Sequence, residues 1–201
     1  MFCKYFLFGL TAFLLFGCQS KPKAQQSQSS PKDATAIEIK QKAKSPVAHL
    51  KKPKSNDPYP YDIELKRPDG SIVASSDVLD FKDGPTVITF WLTTCYPCRL
   101  ELKAIKEKFE GWQKEADFKF VAISTDFEKN YPSFVKMVND SNWPWEAYND
   151  FNRDFWEVMP GGLNGLPQVF VFDENGEIVY HKRKYKSGDE DILFEKIKSL
   201  Q

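Results

Sequence analysis

Net charge is the first thing the chain lacks: its 201 residues carry 28 basic and 28 acidic side chains, which cancel. Proteins that bind nucleic acids usually have a basic surface, often a basic helix or basic residues that alternate with aromatic ones. Neither pattern occurs in the part of the sequence that can form a folded domain. The sequence therefore gives no support for a nucleic-acid partner.

Cysteine and histidine are also scarce, with four and two residues respectively. Cys3 and Cys18 lie near the amino terminus, so only Cys95 and Cys98 fall in the body of the chain. A disulfide framework needs more pairs than this, and a tetrahedral zinc site needs about four ligands. Both histidines are distant from the cysteine pair in the sequence. We therefore expect no metal site.

A hydrophobic run long enough to cross a bilayer is missing as well. The apolar run at residues 5–16 follows Lys4 and is short for a transmembrane helix. This arrangement is typical of a signal peptide, which we assign to residues 1–17. The end of the run, LFGC at 15–18, resembles a bacterial lipobox, although Phe16 is larger than the residue usual there. We expect Cys18 to be acylated; ordinary signal cleavage or an uncleaved anchor is the alternative.

Residues 18–57 contain few large apolar side chains but many lysines, glutamines and serines. Such a segment cannot bury enough surface to offset the entropy lost on ordering. We interpret it as a flexible tether between the lipid anchor and a folded domain at residues 58–201. Its lysines suit anionic headgroups, although a solvated spacer explains them more simply.

The predicted domain is organised around residues 86–101, TVITFWLTTCYPCRLE. β-Branched and aromatic residues predict a buried strand at 86–92, and residues 96–116 have the apolar spacing of a helix. Cys95 and Cys98 then lie at the first turn of that helix, where unpaired backbone N–H groups and the helix dipole stabilise a thiolate. The pattern predicts a pair that cycles between dithiol and disulfide. A structural disulfide fits less well, because closing so short a loop adds little stability.

The rest of the domain alternates between strand and helix patterns. Beside the central strand and helix, and an irregular or helical link at 78–81, we predict strands at 61–67, 71–74, 118–124, 145–148, 168–172 and 177–184, and helices at 131–139, 149–158 and 189–200. This order predicts an α/β fold with a mixed central sheet flanked by helices.

These features resemble the thioredoxin superfamily. The residues FW at 90–91 and CYPC at 95–98 match its active-site motif, and LP at 166–167, before a late apolar strand and hairpin, resembles its cis-proline landmark. The first two strands and the segment at 131–163 are similar to the membrane-anchored TlpA/ResA-like branch. The resemblance covers about residues 59–200 and implies a thioredoxin-like fold with extra amino-terminal strands and an inserted helical segment.

The resemblance assigns roles to the two cysteines and to one carboxyl group. Cys95 becomes the attacking thiol, and Cys98 becomes the resolving thiol that breaks the mixed disulfide with the substrate. Glu101, three residues after Cys98 on the same helix face, matches a functional glutamate of the TlpA/ResA-like branch. The alternative for Glu101 is one of several solvated charges. Thr89 stands where thioredoxins carry a buried acid, which favours Glu101 as the acid-base group.

Four residues form the expected substrate-binding rim: Tyr96, Pro97, Leu166 and Pro167. In the family the dipeptide between the cysteines tunes the redox potential, and Pro97 constrains the turn. Pro167 is the expected cis-proline, because the cis form of the peptide bond costs little free energy before proline. A cis bond here would expose the backbone of Leu166 to an extended substrate. A trans proline at the start of a strand is the alternative. Thr94 replaces the tryptophan usual before the first cysteine, which leaves substrate preference open.

The sequence thus predicts a lipid-anchored thiol-disulfide oxidoreductase of the bacterial cell envelope that reduces protein disulfides. The cysteines carry the electrons, so no cofactor is expected, and a membrane electron donor must recycle the pair. The resemblance implies apocytochrome cysteines or other envelope proteins as substrates. Two alternatives stay open: a thiol peroxidase, although peroxiredoxins have threonine at the position of Leu92, and a non-enzymatic copper chaperone or docking module.

Overall fold

The computed structural model describes residues 62–79 and 81–201. In chain order its elements are β1 (Glu64–Lys66), β2 (Ile72–Ala74), α1 (Ser75–Val78), β3 (Thr86–Trp91), α2 (Tyr96–Glu115), β4 (Lys119–Ser124), a 3-10 turn (Glu128–Asn130), α3 (Tyr131–Ser141), β5 (Glu146–Asn149), α4 (Phe155–Val158), β6 (Gln168–Phe172), β7 (Ile178–Arg183) and α5 (Asp189–Lys198). The expected signal peptide, the tether and Cys18 lie outside the described residues.

The strands form one seven-stranded mixed sheet in the order β2-β1-β5-β4-β3-β6-β7. The central strand β3 runs parallel to β4 and antiparallel to β6, and β4 runs parallel to β5. All six residues of β3 are buried, as expected for a strand with a neighbour on each side and helices over both faces. The predicted fold class is confirmed.

Alternation along β3 divides the core into two layers. Val87 and Trp91 point to the face that packs against α2, α3 and α5. Ile88 and Phe90 point to the opposite face, where α1, α4 and the first strand pack. Successive side chains of a strand face opposite sides of the sheet, so one strand supplies both cores.

Helix α2 buries one face, as its spacing predicts. Leu102, Ile105, Phe109 and Trp112 are each at most 6% exposed. The ring of Trp112 stacks on Phe194 of α5, with centroids 4.8 Å apart. This contact fixes α5 against α2 on one side of the sheet, about three turns along α2 from Glu101.

The predicted helix at 149–158 is wrong over most of its length. Asn149 ends β5, where it pairs with Ser124 of β4, and only Phe155–Val158 is helical. The carboxylate of Asp150 accepts hydrogen bonds from the backbone of Asp154, at 2.9 Å, and of Phe155, at 3.0 Å, so it caps a short helix instead of continuing a long one.

The other boundaries differ by a few residues. The first strand is Glu64–Lys66, the strand before α5 is Ile178–Arg183, and the link predicted at 78–81 is instead a helical turn at Ser75–Val78. Helix α3 continues to Ser141 before the chain turns. In the described part of the chain, no helix has the length and apolar character needed to cross a membrane.

Candidate active site

The cysteine pair lies where β3 delivers the chain to α2. Cys95 is the N-cap of α2, and its Sγ accepts a hydrogen bond from the backbone N–H of Cys98 at 3.3 Å. The two sulfurs are joined in a disulfide. Pro97 lies in the first turn of α2, where a backbone N–H has no acceptor within the helix, so the N–H that proline lacks is not needed. The predicted position of the pair at the helix start is confirmed.

The two sulfur-bearing residues differ in accessibility. Cys95 is partly exposed, whereas Cys98 is 0% exposed and belongs to the core beside Trp91 and Leu102. Another molecule can therefore reach Cys95 but not Cys98. This asymmetry is what an attacking thiol and a resolving thiol require.

Asp126 holds the loop that precedes Cys95, a feature that the sequence reasoning missed. Its carboxylate accepts hydrogen bonds from the Thr93 backbone at 2.8 Å, from the Thr93 hydroxyl at 2.9 Å and from the Ser124 hydroxyl at 2.7 Å. Parallel pairing of Trp91 with Ser124 brings the ends of β3 and β4 together, and Asp126 is 0% exposed. The signal available in the sequence was an acidic residue two positions after the end of an apolar strand.

Glu101 is not a solvated charge. It is 4% exposed, and its Oε2 accepts a hydrogen bond of 2.9 Å from the Thr89 hydroxyl of β3. The pKa of Glu101 is raised to about 8, mainly by burial and to a smaller extent by nearby Asp189 and Glu190, while the hydrogen bond from Thr89 opposes the shift. The carboxyl group therefore holds a proton up to mildly alkaline pH and can exchange it there.

The peptide bond between Leu166 and Pro167 is cis, as predicted. Pro167 is buried and Leu166 is partly exposed. Gln168, which follows them, pairs with Phe90 of β3, so the cis-proline lies at the same sheet edge as the cysteine loop. Gln168 is 0% exposed and donates to the carbonyl of Asn164 at 2.9 Å, which fixes the loop before the proline.

The other two predicted substrate-binding residues, Tyr96 and Pro97, lie between the cysteines in the first turn of α2. Tyr96 is 63% exposed at the start of α2, with the guanidinium of Arg99 5.8 Å from its ring centroid. Pro97 is exposed beside it. Among residues 62–79 and 81–201, no group of three or more histidine, cysteine or acidic side chains is placed to hold a metal ion.

Residues 56–181 match the model of the AhpC/TSA family. The chain belongs to the AhpC/TSA family. The match covers the cysteine loop, Glu101 and the cis-proline. This AhpC/TSA-family chain is also 27% identical to nucleoredoxin from Bos taurus over 128 residues, which are 63% of this chain and 28% of that protein. The chain therefore corresponds to less than a third of the length of that relative.

Solved structures support the thioredoxin-like fold of this family member. An uncharacterized thioredoxin-like protein from Porphyromonas gingivalis is 33% identical, with a TM-score of 0.60 and coverage of 70% of this chain and 90% of that one. A secreted Mycobacterium tuberculosis disulfide oxidoreductase, described as homologous to E. coli DsbE, is 16% identical, with a TM-score of 0.53 and coverage of 69% and 96%. The predicted membership of the thioredoxin superfamily is confirmed.

Replacing Thr89 with valine tests how Glu101 is held. The change removes the only charge-stabilising hydrogen bond that the described residues give this carboxylate. We expect the pKa of Glu101 to rise above its value of about 8, by roughly one unit. Titration of the ¹³C-labelled Glu101 carboxyl by NMR measures the shift. An unchanged or lowered midpoint would contradict the assigned hydrogen bond.

Proposed function

We propose that this protein is an extracytoplasmic thiol-disulfide oxidoreductase that reduces protein disulfides through Cys95 and Cys98. The observation that carries the proposal is the pairing of a partly exposed Cys95 with a fully buried Cys98 at the start of α2. Family membership and the thioredoxin-like fold support redox chemistry at a general level. Reduction of protein substrates, rather than their oxidation, is the finer part of the proposal.

The proposed reaction begins from the reduced pair. The Cys95 thiolate attacks one sulfur of a substrate disulfide, forms a mixed disulfide and expels a substrate thiolate, which takes a proton from solvent. Cys98 then loses its proton and attacks the sulfur of Cys95. The second substrate thiolate leaves, and the Cys95–Cys98 disulfide forms. Two electrons have moved from the pair to the substrate, and the structure corresponds to the oxidised product.

Glu101 is proposed as the group that takes the proton from Cys98. It lies three residues further along α2, and both residues are buried on the side of the sheet that α2 covers. A carboxyl group with a pKa of about 8 is matched to proton exchange with a thiol, whose ordinary pKa is about 8.5. A single water between the two groups suffices for the transfer.

The substrate-binding rim is proposed to consist of Tyr96, Pro97, Leu166 and Pro167. Pro167 has no N–H, and its cis bond turns the backbone of Leu166 at the sheet edge beside the cysteine loop. An extended chain can pair with such a backbone segment while its disulfide meets Cys95. Tyr96, which follows Cys95 in the chain, is exposed and offers an aromatic surface to the substrate.

The proposed location is the cell envelope, with the chain held by lipid on Cys18. The signal-like residues 1–17 and the cysteine that follows them support this location, and one structural neighbour is described as secreted. A disulfide persists in such an oxidising compartment. A membrane electron donor must then return two electrons to the pair after each turnover.

Trapping with Cys98→Ala tests the proposed function. Without the resolving thiol, the mixed disulfide between Cys95 and its substrate persists, so covalent adducts should accumulate in cells that express the full chain. Non-reducing gels followed by mass spectrometry identify the linked proteins. Cys95→Ala is the matched control, since it leaves only the buried thiol and should trap far less.

Equal amounts of adduct in the two variants, or none in either, would overturn the exchange mechanism. A hydrogen peroxide consumption assay on the reduced chain separates the thiol peroxidase alternative. Titration of the reduced chain with Cu(I) separates the copper-chaperone alternative. A chain that reduces insulin but neither consumes hydrogen peroxide nor binds Cu(I) supports the oxidoreductase.

A further inference from the structure

Lys182 and Asp189 form an ion pair on the sheet face that α2 and α5 cover. Lys182 Nζ lies 3.1 Å from Asp189 Oδ1, and only 12% of the Asp189 side chain is exposed. The other carboxylate oxygen of Asp189 accepts the backbone N–H of Lys186 at 2.8 Å. The carboxylate of Asp189 is therefore fixed in place, whereas the Lys182 side chain is 36% exposed.

Sheet register places this pair in line with Glu101. Thr89, which donates to Glu101, pairs with Val169 of β6, and Val169 pairs with Lys182 of β7. Directly paired residues share a sheet face, so Thr89, Val169 and Lys182 form one row beneath α2 and α5. Two strand spacings separate the ends of the row by about 10 Å. Lys182 therefore stands on the same sheet face as Thr89, the residue that donates to Glu101.

Glu101 and the Lys182–Asp189 ion pair line the same small cleft. It has a volume of about 10 Å³, which is room for about one water, and its lining includes Glu101, Val169, Lys182 and Asp189. Glu101 and both members of the ion pair therefore border the same small space.

Other charged and titratable groups around the cleft are already paired or neutral. Glu190 of α5 accepts hydrogen bonds from Lys108 at 3.1 Å, from the Tyr185 hydroxyl at 2.9 Å and from the backbone of Gly188 at 2.9 Å. Tyr180 of β7 also lines the cleft, and burial raises its pKa. The Lys182–Asp189 pair is thus the place where a change of one charge acts on Glu101 most directly.

We infer that the Lys182–Asp189 ion pair is a positioning element of the redox site, which closes the solvent side of the Glu101 cleft and controls when Glu101 releases its proton. The inference rests on the proposed role of Glu101 in accepting the Cys98 proton. Asp189 holds the ammonium of Lys182 back from the Glu101 carboxylate and adds a negative charge of its own. Both effects strengthen the binding of the proton by Glu101.

Opposite charge changes test this inference because they predict opposite results. In Asp189→Asn the released ammonium of Lys182 stabilises the Glu101 carboxylate, so the titration midpoint of Glu101 should fall by about half a pH unit or more. In Lys182→Met the negative charge of Asp189 loses its partner, so the midpoint should rise by a similar amount. Lys182→Arg keeps the charge and should leave the midpoint near that of the parent chain.

The measurement is ¹³C NMR titration of the full-length chain with labelled glutamate, in which Glu101→Gln identifies the signal. Lys136→Met and Asp140→Asn, which break an exposed pair on α3, are the matched controls and should not shift it. The alkaline limb of the pH profile for reduction of insulin should move in the same direction as the midpoint. Shifts of the same sign in both variants, or no shift in either, would overturn the inference.

The proposed function and the role of the ion pair can be disproved separately. If the parent chain reduces insulin while the pair variants leave the Glu101 midpoint unchanged, the oxidoreductase stands and the ion pair has no such role. If the parent chain reduces nothing but the midpoints shift as expected, the electrostatic control is real and the proposed function is wrong. Should Asp189→Asn fail to fold, comparison of Lys182→Met with Lys182→Arg still tests the expected rise of the Glu101 titration midpoint.

Discussion

Glu101→Gln should make the oxidised chain more stable than the parent at alkaline pH, by up to roughly 5 kcal/mol above pH 8. Glutamine has the shape of the protonated acid but cannot lose a proton. The parent chain must hold a carboxylate in a site that is 4% exposed once the pH exceeds the pKa of Glu101. The variant avoids this cost and keeps an oxygen to accept the Thr89 hydrogen bond.

The direction follows from proton linkage. The folded chain has a Glu101 pKa of about 8, whereas the unfolded chain has the ordinary value of about 4.3. Between these values the folded state binds the proton more strongly, so the stability that this proton gives is complete below pH 4.3 and is lost as the pH rises through about 8. The difference between variant and parent should therefore be smallest in acid and should level off above pH 8.

Urea unfolding of both oxidised chains between pH 4 and pH 9 measures this difference. Asp150, whose pKa burial raises to about 7, adds a similar loss of stability at lower pH, but it is present in both chains and cancels. Glu110→Gln changes an exposed glutamate of the same helix and should show no such growing difference. A constant difference across the pH range would mean that Glu101 does not titrate with a raised pKa.

The proposed role in proton transfer explains why the chain has a buried acid, Glu101, that lowers its stability at alkaline pH. The same substitution should slow the resolving step, because Cys98 loses the group proposed to take its proton. Stability and activity then change in opposite directions, which is common where a site stores an unfavourable charge for function. A faster or unchanged rate of insulin reduction in Glu101→Gln would leave the buried carboxyl group without this explanation.

Local patterns predicted the parts of the site that lie close together in the sequence. The apolar strand, the cysteine pair and the spacing from Leu102 to Trp112 each follow from a few neighbouring residues, and the structure has them as expected. The cis bond before Pro167 followed from a motif and is also present. The family resemblance supplied Glu101, whose burial no local pattern showed.

Contacts between distant segments could not be predicted in the same way. Asp126 meets Thr93 only because β3 and β4 end together, 33 residues apart in the chain. Lys182 looks like any exposed lysine of an edge strand until the register places it in line with Thr89. The helix predicted at 149–158 failed for a related reason: pairing with β4 outweighs helical propensity at Asn149.

Asp126→Ala should lower the free energy of unfolding by about 3 to 5 kcal/mol. The change leaves the N–H and hydroxyl of Thr93 and the hydroxyl of Ser124 without the acceptor that they now share. Thr93 and Ser124 are buried, at 6% and 0% exposure, so water replaces the lost bonds poorly. Denaturant unfolding of the two chains measures the loss.

Asp69 provides a matched control, because its carboxylate accepts the same kinds of bond, from the backbone and the hydroxyl of Ser71. Asp69 is exposed, so water can take its place, and Asp69→Ala should cost much less than Asp126→Ala. Equal losses in the two variants would show that burial of the Asp126 network adds nothing.

The effect of Asp126 should extend to the redox site. Thr93 lies within the turn that the backbone N–H of Cys95 closes on the carbonyl of Leu92 at 3.0 Å, so the bonds to Asp126 hold this turn in place. Releasing Thr93 lets the exposed sulfur move relative to the cis-proline, and reduction of insulin should slow even under conditions where Asp126→Ala is fully folded. A folded variant with the parent rate would restrict Asp126 to a role in stability.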